Sequence, residues 1–274
     1  MKNKLVALGA LTLTLCFVTT SCSLVKNQTA EPTPEDTLTT EAVTEAVEKP
    51  IVPTFGGTLK LSARNPLTLN PLLNEDRSID EILKLVFEPL YKLDTQYKPV
   101  PNLVDQYVFD AENNSITITL KPGLLFHNQE PLTSEDVQYS IDVLKEAPAT
   151  VIYKSCVDNI QRTSIIDDLT LKIYLKQAYA FSRYYLDFPI LPKDYSESEN
   201  YDPFKPIGSG LYAFVDFTAM KAINFTVSEA RKSEVYVQNI ACTITRDEAV
   251  DTDTFKQNLI DLIAPAKFNW FEHS

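Results

Sequence analysis

Side chains able to do bond-making chemistry are sparse in this chain of 274 residues, and their spacing argues against most reactions. The soft and nitrogen donors are His127, His273, Cys16, Cys22, Cys156 and Cys242. No CxxC spacing occurs, and with two histidines no zinc, haem or other metal site is expected. The chain has no Gly-x-Ser-x-Gly elbow, no phosphate-cradling loop and no His-Glu-x-x-His helix. Of the acidic groups, Glu88 precedes Pro89 at a packed helix end, and Asp167-Asp168 falls in a turn. Both read as structural, so no catalytic residue, no cofactor and no enzyme activity are expected.

The N-terminus differs from the rest. Met1 to Lys4 is short and basic, Leu5 to Val18 is apolar, and Thr19-Thr20-Ser21 is small and polar, the order of a secretory signal peptide over 1–21. The apolar run is shorter than the roughly 20 residues a spanning helix needs. Cys22 directly follows Ser21 and resembles the lipidated cysteine of a bacterial lipobox, although Thr19 stands where Leu is favoured. Residues 22–54 then carry Thr, Glu and Pro, with too little apolar surface to fold. As a flexible coil the segment spans roughly 30 Å, enough to tether a domain off a membrane.

Without residues 1–21 the chain loses Lys2 and Lys4 and keeps 23 basic against 37 acidic residues, a net charge of −14. Such a surface repels phosphate backbones, so nucleic acid is not an expected partner. Export permits a bridge between Cys156 and Cys242, but nothing in the sequence shows that they meet.

The elements that would position a site are legible from Phe55 onward. Gly56-Gly57 feeds a short strand, and the prolines of Asn65 to Leu72 make an extended loop. Ser78-Ile79-Asp80-Glu81 fits a capping box. Ile79, Ile82, Leu83, Val86 and Leu90 follow at helical spacing, with Pro89 closing the helix. Tyr107 to Phe109 and Ile116 to Leu120 read as a hairpin around Asp110 to Asn114. Thr133 to Asp136 caps a helix with inner face Val137, Ile141 and Leu144. Alternation returns at Leu169 to Leu175, Ile223 to Val227 and Ile240 to Ile244. Strands with few helices and no βα repeat predict an α+β fold with a mixed sheet. Gly208-Ser209-Gly210 lets backbone approach closely, either to a ligand or to another strand, and Tyr212 after it faces either a cleft or the core.

Four stretches in order resemble the family 5 extracellular solute-binding proteins. They are Leu69-Asn70-Pro71-Leu72 with Val86-Phe87-Glu88-Pro89-Leu90-Tyr91; Pro101-Asn102-Leu103 with Leu120 to His127; Pro131 to Val137; and Pro206-Ile207-Gly208-Ser209-Gly210-Leu211-Tyr212. In this family Asp-Gly usually follows the Phe-His pair. Here Asn128-Gln129 stands there, and glutamine tolerates positive φ poorly, which leaves the turn type open. Ser228 to Val237 also lacks the family's aromatic pattern.

The resemblance implies the N-terminal lobe (55–264) of a two-lobed, class II periplasmic-binding-protein-like fold. Residues 265–274 would begin a second lobe that the chain does not contain, and 274 residues alone are expected to bind little peptide. It implies an importer component, monomeric and lipid-anchored at the outer face of the membrane. That component would hand oligopeptides or other small solutes to ABC permease subunits. The loop Asn74, Glu75, Asp76, Arg77 would face ligand, with Glu75 accepting from an amine and Arg77 donating to a carboxylate. Gly208, Ser209, Gly210 and Tyr212 complete the candidate set. Two other readings stay open: a surface lipoprotein that serves as an interaction or signalling module, and a non-functional fragment.

Overall fold

A computed structural model describes residues 52–263. Cys22, the signal and nearly all of the tether lie outside the described residues, as does the segment after Ile263. The first strand, β1 (Gly56–Ala63), is followed by α1 (Arg77–Leu83), the ribbon β2 (Tyr91–Leu93) and β3 (Pro99–Pro101), and the hairpin β4 (Val104–Asp110) and β5 (Ser115–Leu120). Next come α2 (Ser134–Glu146), a second hairpin of β6 (Ile160–Asp167) and β7 (Thr170–Leu175), and the short α3 (Lys193–Ser196). A third hairpin, β8 (Tyr212–Thr218) and β9 (Ala222–Val227), leads to β10 (Val237–Ile244) and α4 (Glu248–Lys256).

Two four-stranded sheets result. One, ordered β4-β5-β7-β6, is wholly antiparallel, as expected of hairpins. The other, β1-β10-β9-β8, is mixed, because β1 pairs in parallel with β10, Leu59 beside Ile240 and Leu61 beside Cys242. This is the α+β fold with a mixed sheet that the strand pattern predicts. Alternating side chains drive both sheets: Ile116, Ile118, Leu171, Ile173, Ile223, Phe225 and Cys242 are buried and belong to one apolar cluster. Each fully buried aliphatic contributes about 1.5–3 kcal/mol of transfer free energy.

The second helix starts as read. The Asp136 carboxylate accepts from the Thr133 N–H at 2.8 Å and its hydroxyl at 3.1 Å, and Val137, Ile141 and Leu144 are buried. The first helix does not. Its cap is Asp76 rather than Ser78, because the Asp76 carboxylate takes both the Ser78 N–H (2.8 Å) and the Ser78 hydroxyl (2.7 Å). Glu81 pairs with Lys84 instead. The helix also stops at Leu83, well before Pro89. The carbonyls of Leu85 and Val86 are claimed by the N–H groups of Tyr212 (2.9 Å) and Gly210 (2.8 Å). The expected apolar face is nonetheless buried at Ile79, Ile82, Leu83, Val86 and Leu90.

Candidate ligand-binding surface

The loop before α1 is rigid in its backbone and open in its side chains. Asn74 is buried, its side chain accepting from the Asp76 N–H at 3.1 Å and donating to the Asp76 carbonyl at 2.8 Å. Its carbonyl accepts from the Ile152 N–H at 3.2 Å, which ties the loop to the segment after α2. Glu75, Asp76 and Arg77 are exposed. Glu75 accepts from the Thr150 hydroxyl, and Arg77 forms no ion pair among the described residues. Thr150 carried no signal in the sequence, since 75 residues separate it from its partner. Upstream, Leu69-Asn70-Pro71-Leu72 is anchored by Leu69 N–H to the Pro203 carbonyl (2.8 Å) and by the Asn70 amide to the Tyr201 hydroxyl (2.8 Å).

The loop lies within electrostatic range of the end of β1. Arg64 donates to both oxygens of Asp251, at 3.2 and 2.7 Å, and to the Thr245 hydroxyl at 2.6 Å. The bonds to Asp251, opposed by burial, raise the Arg64 guanidinium further, and the charges of Asp247 and Asp76 add to them. Burial pushes the Asp251 carboxyl up, but hydrogen bonds from Arg64, Thr245 and Ser62 outweigh it and hold the group below its ordinary range. This pair fixes the first turn of α4 to β1. Beside it an open cleft of ≈ 510 Å³ is lined by Arg64, Asn65, Met220, Ile244 and Arg246 among others.

The glycine turn sits elsewhere. A Cβ on Gly208 would lie 2.0 Å from the Val86 carbonyl oxygen, and one on Gly210 would lie 2.6 Å from that of Leu85. Of the two close approaches the sequence leaves open, the structure shows backbone against backbone. Ser209 is buried, and Tyr212 is 5% exposed with its hydroxyl donating to the Val237 carbonyl at 2.9 Å, which places it in the core rather than on an accessible wall. His127 completes the splice. Its Nε2 lies 3.0 Å from the Gly210 carbonyl and its Nδ1 3.4 Å from the Gly208 N–H. A carbonyl requires Nε2–H to donate, and Nδ1 must accept, so both contacts need the neutral ring. Burial lowers the His127 pKa in the same sense, against the pull of the Gly210 carbonyl and Glu88. Asn102 donates to the Pro89 carbonyl (3.1 Å) and Arg231 to Glu88 (3.2 Å). Motifs far apart in sequence thus converge on residues 85–91.

Cys156 and Cys242 are both free. Burial pushes the Cys242 thiol up to about 12, far from a reactive thiolate. Cys156 donates to Asp187 at 3.4 Å, and burial raises its pKa as well. Asp167 and Asp168 form the turn joined to α2, with Ser134 donating to both carbonyls.

This architecture recurs in solved structures. The ABC transporter substrate-binding protein CtaP from Listeria monocytogenes is 24% identical with a TM-score of 0.64, over 76% of this chain and 44% of that one. The oligopeptide-binding protein AppA from Bacillus subtilis, solved with a nonapeptide, is 21% identical with a TM-score of 0.66, over 77% of this chain and 44% of that one. The glutathione-binding protein GsiB from Pectobacterium atrosepticum is 26% identical over 152 residues, 54% of this chain and 30% of the relative's length. The chain therefore spans less than half the length of each of these proteins. Residues 98–270 match the model described as "bacterial extracellular solute-binding proteins, family 5 Middle". With most of its length inside that match, and its separated motifs meeting at one splice, the chain belongs to the family 5 bacterial extracellular solute-binding proteins.

Proposed function

We propose that this chain supplies one wall of a peptide-binding cleft in the substrate-binding component of an ABC importer, and that it binds without bond chemistry. The observation that carries the reading is the loop Asn74–Arg77. Its backbone is held by the Asn74 side chain, which bonds the N–H and carbonyl of Asp76, and by the Ile152 N–H on the Asn74 carbonyl, while Thr150 steadies the Glu75 carboxylate and the Glu75 and Arg77 side chains stay exposed. A rigid backbone carrying one acceptor and one donor suits the termini or polar groups of an extended peptide. The tight Gly208-Ser209-Gly210 turn serves the site indirectly by fixing the segment that follows α1. Family membership supports delivery to permease subunits and placement of the domain outside the cell. Cys22 as a lipid anchor agrees with the short apolar run before it.

One wall gives weak binding. A dissociation constant near 1 mM corresponds to about −4.1 kcal/mol, below the detection of micromolar titrations. Amide NMR of the ¹⁵N-labelled chain with a mixed peptide pool should move signals of residues 74–77, and Arg77→Ala should reduce that response several-fold. Peptide at 5 mM that leaves 74–77 unmoved would refute the site. For the anchor, a Cys22→Ala variant should be released into the medium, and its retention at the membrane would refute lipidation there.

A further inference from the structure

A second concavity runs along α2. An open groove of ≈ 540 Å³ has an apolar floor of Leu73, Tyr139, Val143, Ala147 and Pro148. Its rim carries Glu135, Asp142 and Glu146 from one stripe of the helix, and Lys193 and Glu197 from α3 and the residue after it. Lys193 is committed to Glu135 at 2.8 Å. Asp142, Glu146 and Glu197 are exposed and form no ion pair among the described residues. Glu135, Asp142, Glu146 and Glu197 outnumber the single Lys193 around this apolar floor, and the net negative rim attracts a ligand that is itself cationic and apolar, and repels an acidic one.

Its dimensions match a short extended chain. Glu135 to Glu146 covers about 16 Å of helix at 1.5 Å per residue. Five residues of extended peptide, at about 3.3 Å each, cover the same distance. The groove is continuous with the loop described above, because Leu73 in its floor precedes Asn74, and Thr150, just past Pro148, holds Glu75. We propose that this groove takes the lysine- or arginine-bearing stretch of a peptide that also reaches the Asn74–Arg77 loop. The inference rests on the peptide-binding reading and adds a preference for basic, apolar sequences.

The test uses the ¹⁵N-labelled full chain with Lys-Leu-Lys-Leu-Lys and with Glu-Leu-Glu-Leu-Glu, each against wild type and the Asp142→Asn, Glu146→Gln, Glu197→Gln triple variant. All three side chains are exposed, so the variant should keep the wild-type circular dichroism and thermal midpoint. The basic peptide should shift signals along the Glu135–Glu146 stripe and bind about tenfold more weakly to the variant. Binding should also weaken as salt rises, since exposed charges are screened. Equal binding to the variant, with shifts confined to 74–77, would overturn the groove while leaving the peptide reading intact. Shifts at neither place would overturn both. Stripe shifts that grow with protein concentration in the absence of peptide would assign the groove to a second copy of the chain and overturn the proposal.

Discussion

Replacing Gly208 with alanine puts a methyl carbon where there is no room for it. The new Cβ would lie 2.0 Å from the Val86 carbonyl oxygen, 2.8 Å from its carbon and 2.9 Å from the Phe87 ring. Two of those atoms are backbone and cannot rotate away. The splice must open, and overpacking of this kind costs about 1–3 kcal/mol. Opening also stretches the bonds from Gly210 N–H to Val86 and from Tyr212 N–H to Leu85, 2.8 and 2.9 Å long. A buried group left without its partner costs about 1–3 kcal/mol. Together these give about 2–6 kcal/mol, a large part of the roughly 5–15 kcal/mol that holds a domain folded. At a urea slope of about 2–3 kcal/mol/M, the midpoint should fall by about 1–3 M, followed by circular dichroism. Gly57→Ala is the control: φ there is +72° but nothing lies within 4 Å of the added carbon. It should cost only the left-handed penalty of about 1–2 kcal/mol. A Gly208→Ala shift no larger than the Gly57→Ala shift would refute the steric argument.

Gln129 sits at φ +71°, so Gln129→Gly should stabilise by about 0.5–1 kcal/mol, read as a higher urea midpoint. Asp251→Ala removes both oxygens from Arg64 and should cost about 2 kcal/mol in the same assay. Asp251 is held below its ordinary range when folded, so its stabilisation is complete above the unfolded carboxylate value and fades as pH falls through the folded one. His127 is likewise depressed by burial. Below the ordinary imidazole value the unfolded chain binds a proton that the folded chain refuses, so stability should drop as pH falls from 7 toward 5. His127→Gln, which can still donate and accept, should flatten that slope between pH 5 and 7.

Much of the fold was legible because it is local. The α2 cap needs only Thr133 and Asp136, three residues apart, and the β4–β5 hairpin needs only period-two alternation around a turn. Even β10 could be read as a strand from Ile240 and Cys242, although its parallel partner β1 could not be named. The family motifs were also visible, but not what they do. The sequence allowed Gly208-Ser209-Gly210 to face a ligand or another strand, and the structure sets Gly208 and Gly210 against the backbone of Leu85 and Val86, in the turn after α1. Nor did adjacent residues record that α1 stops at Leu83 and that the next carbonyls, of Leu85 and Val86, take the N–H groups of Tyr212 and Gly210. At Gln129 the hydrogen bonds from Phe126 to Glu130 and from Gln129 to Phe126 hold a left-handed residue that its own preference opposes. Glu75 offered a carboxylate in an exposed loop, but the Thr150 hydroxyl that holds it arrives from 75 residues away. Periodicity and capping act within a turn or two of chain and are written in adjacent residues. Which carbonyl meets which glycine depends on the folded path, and adjacent residues do not record it.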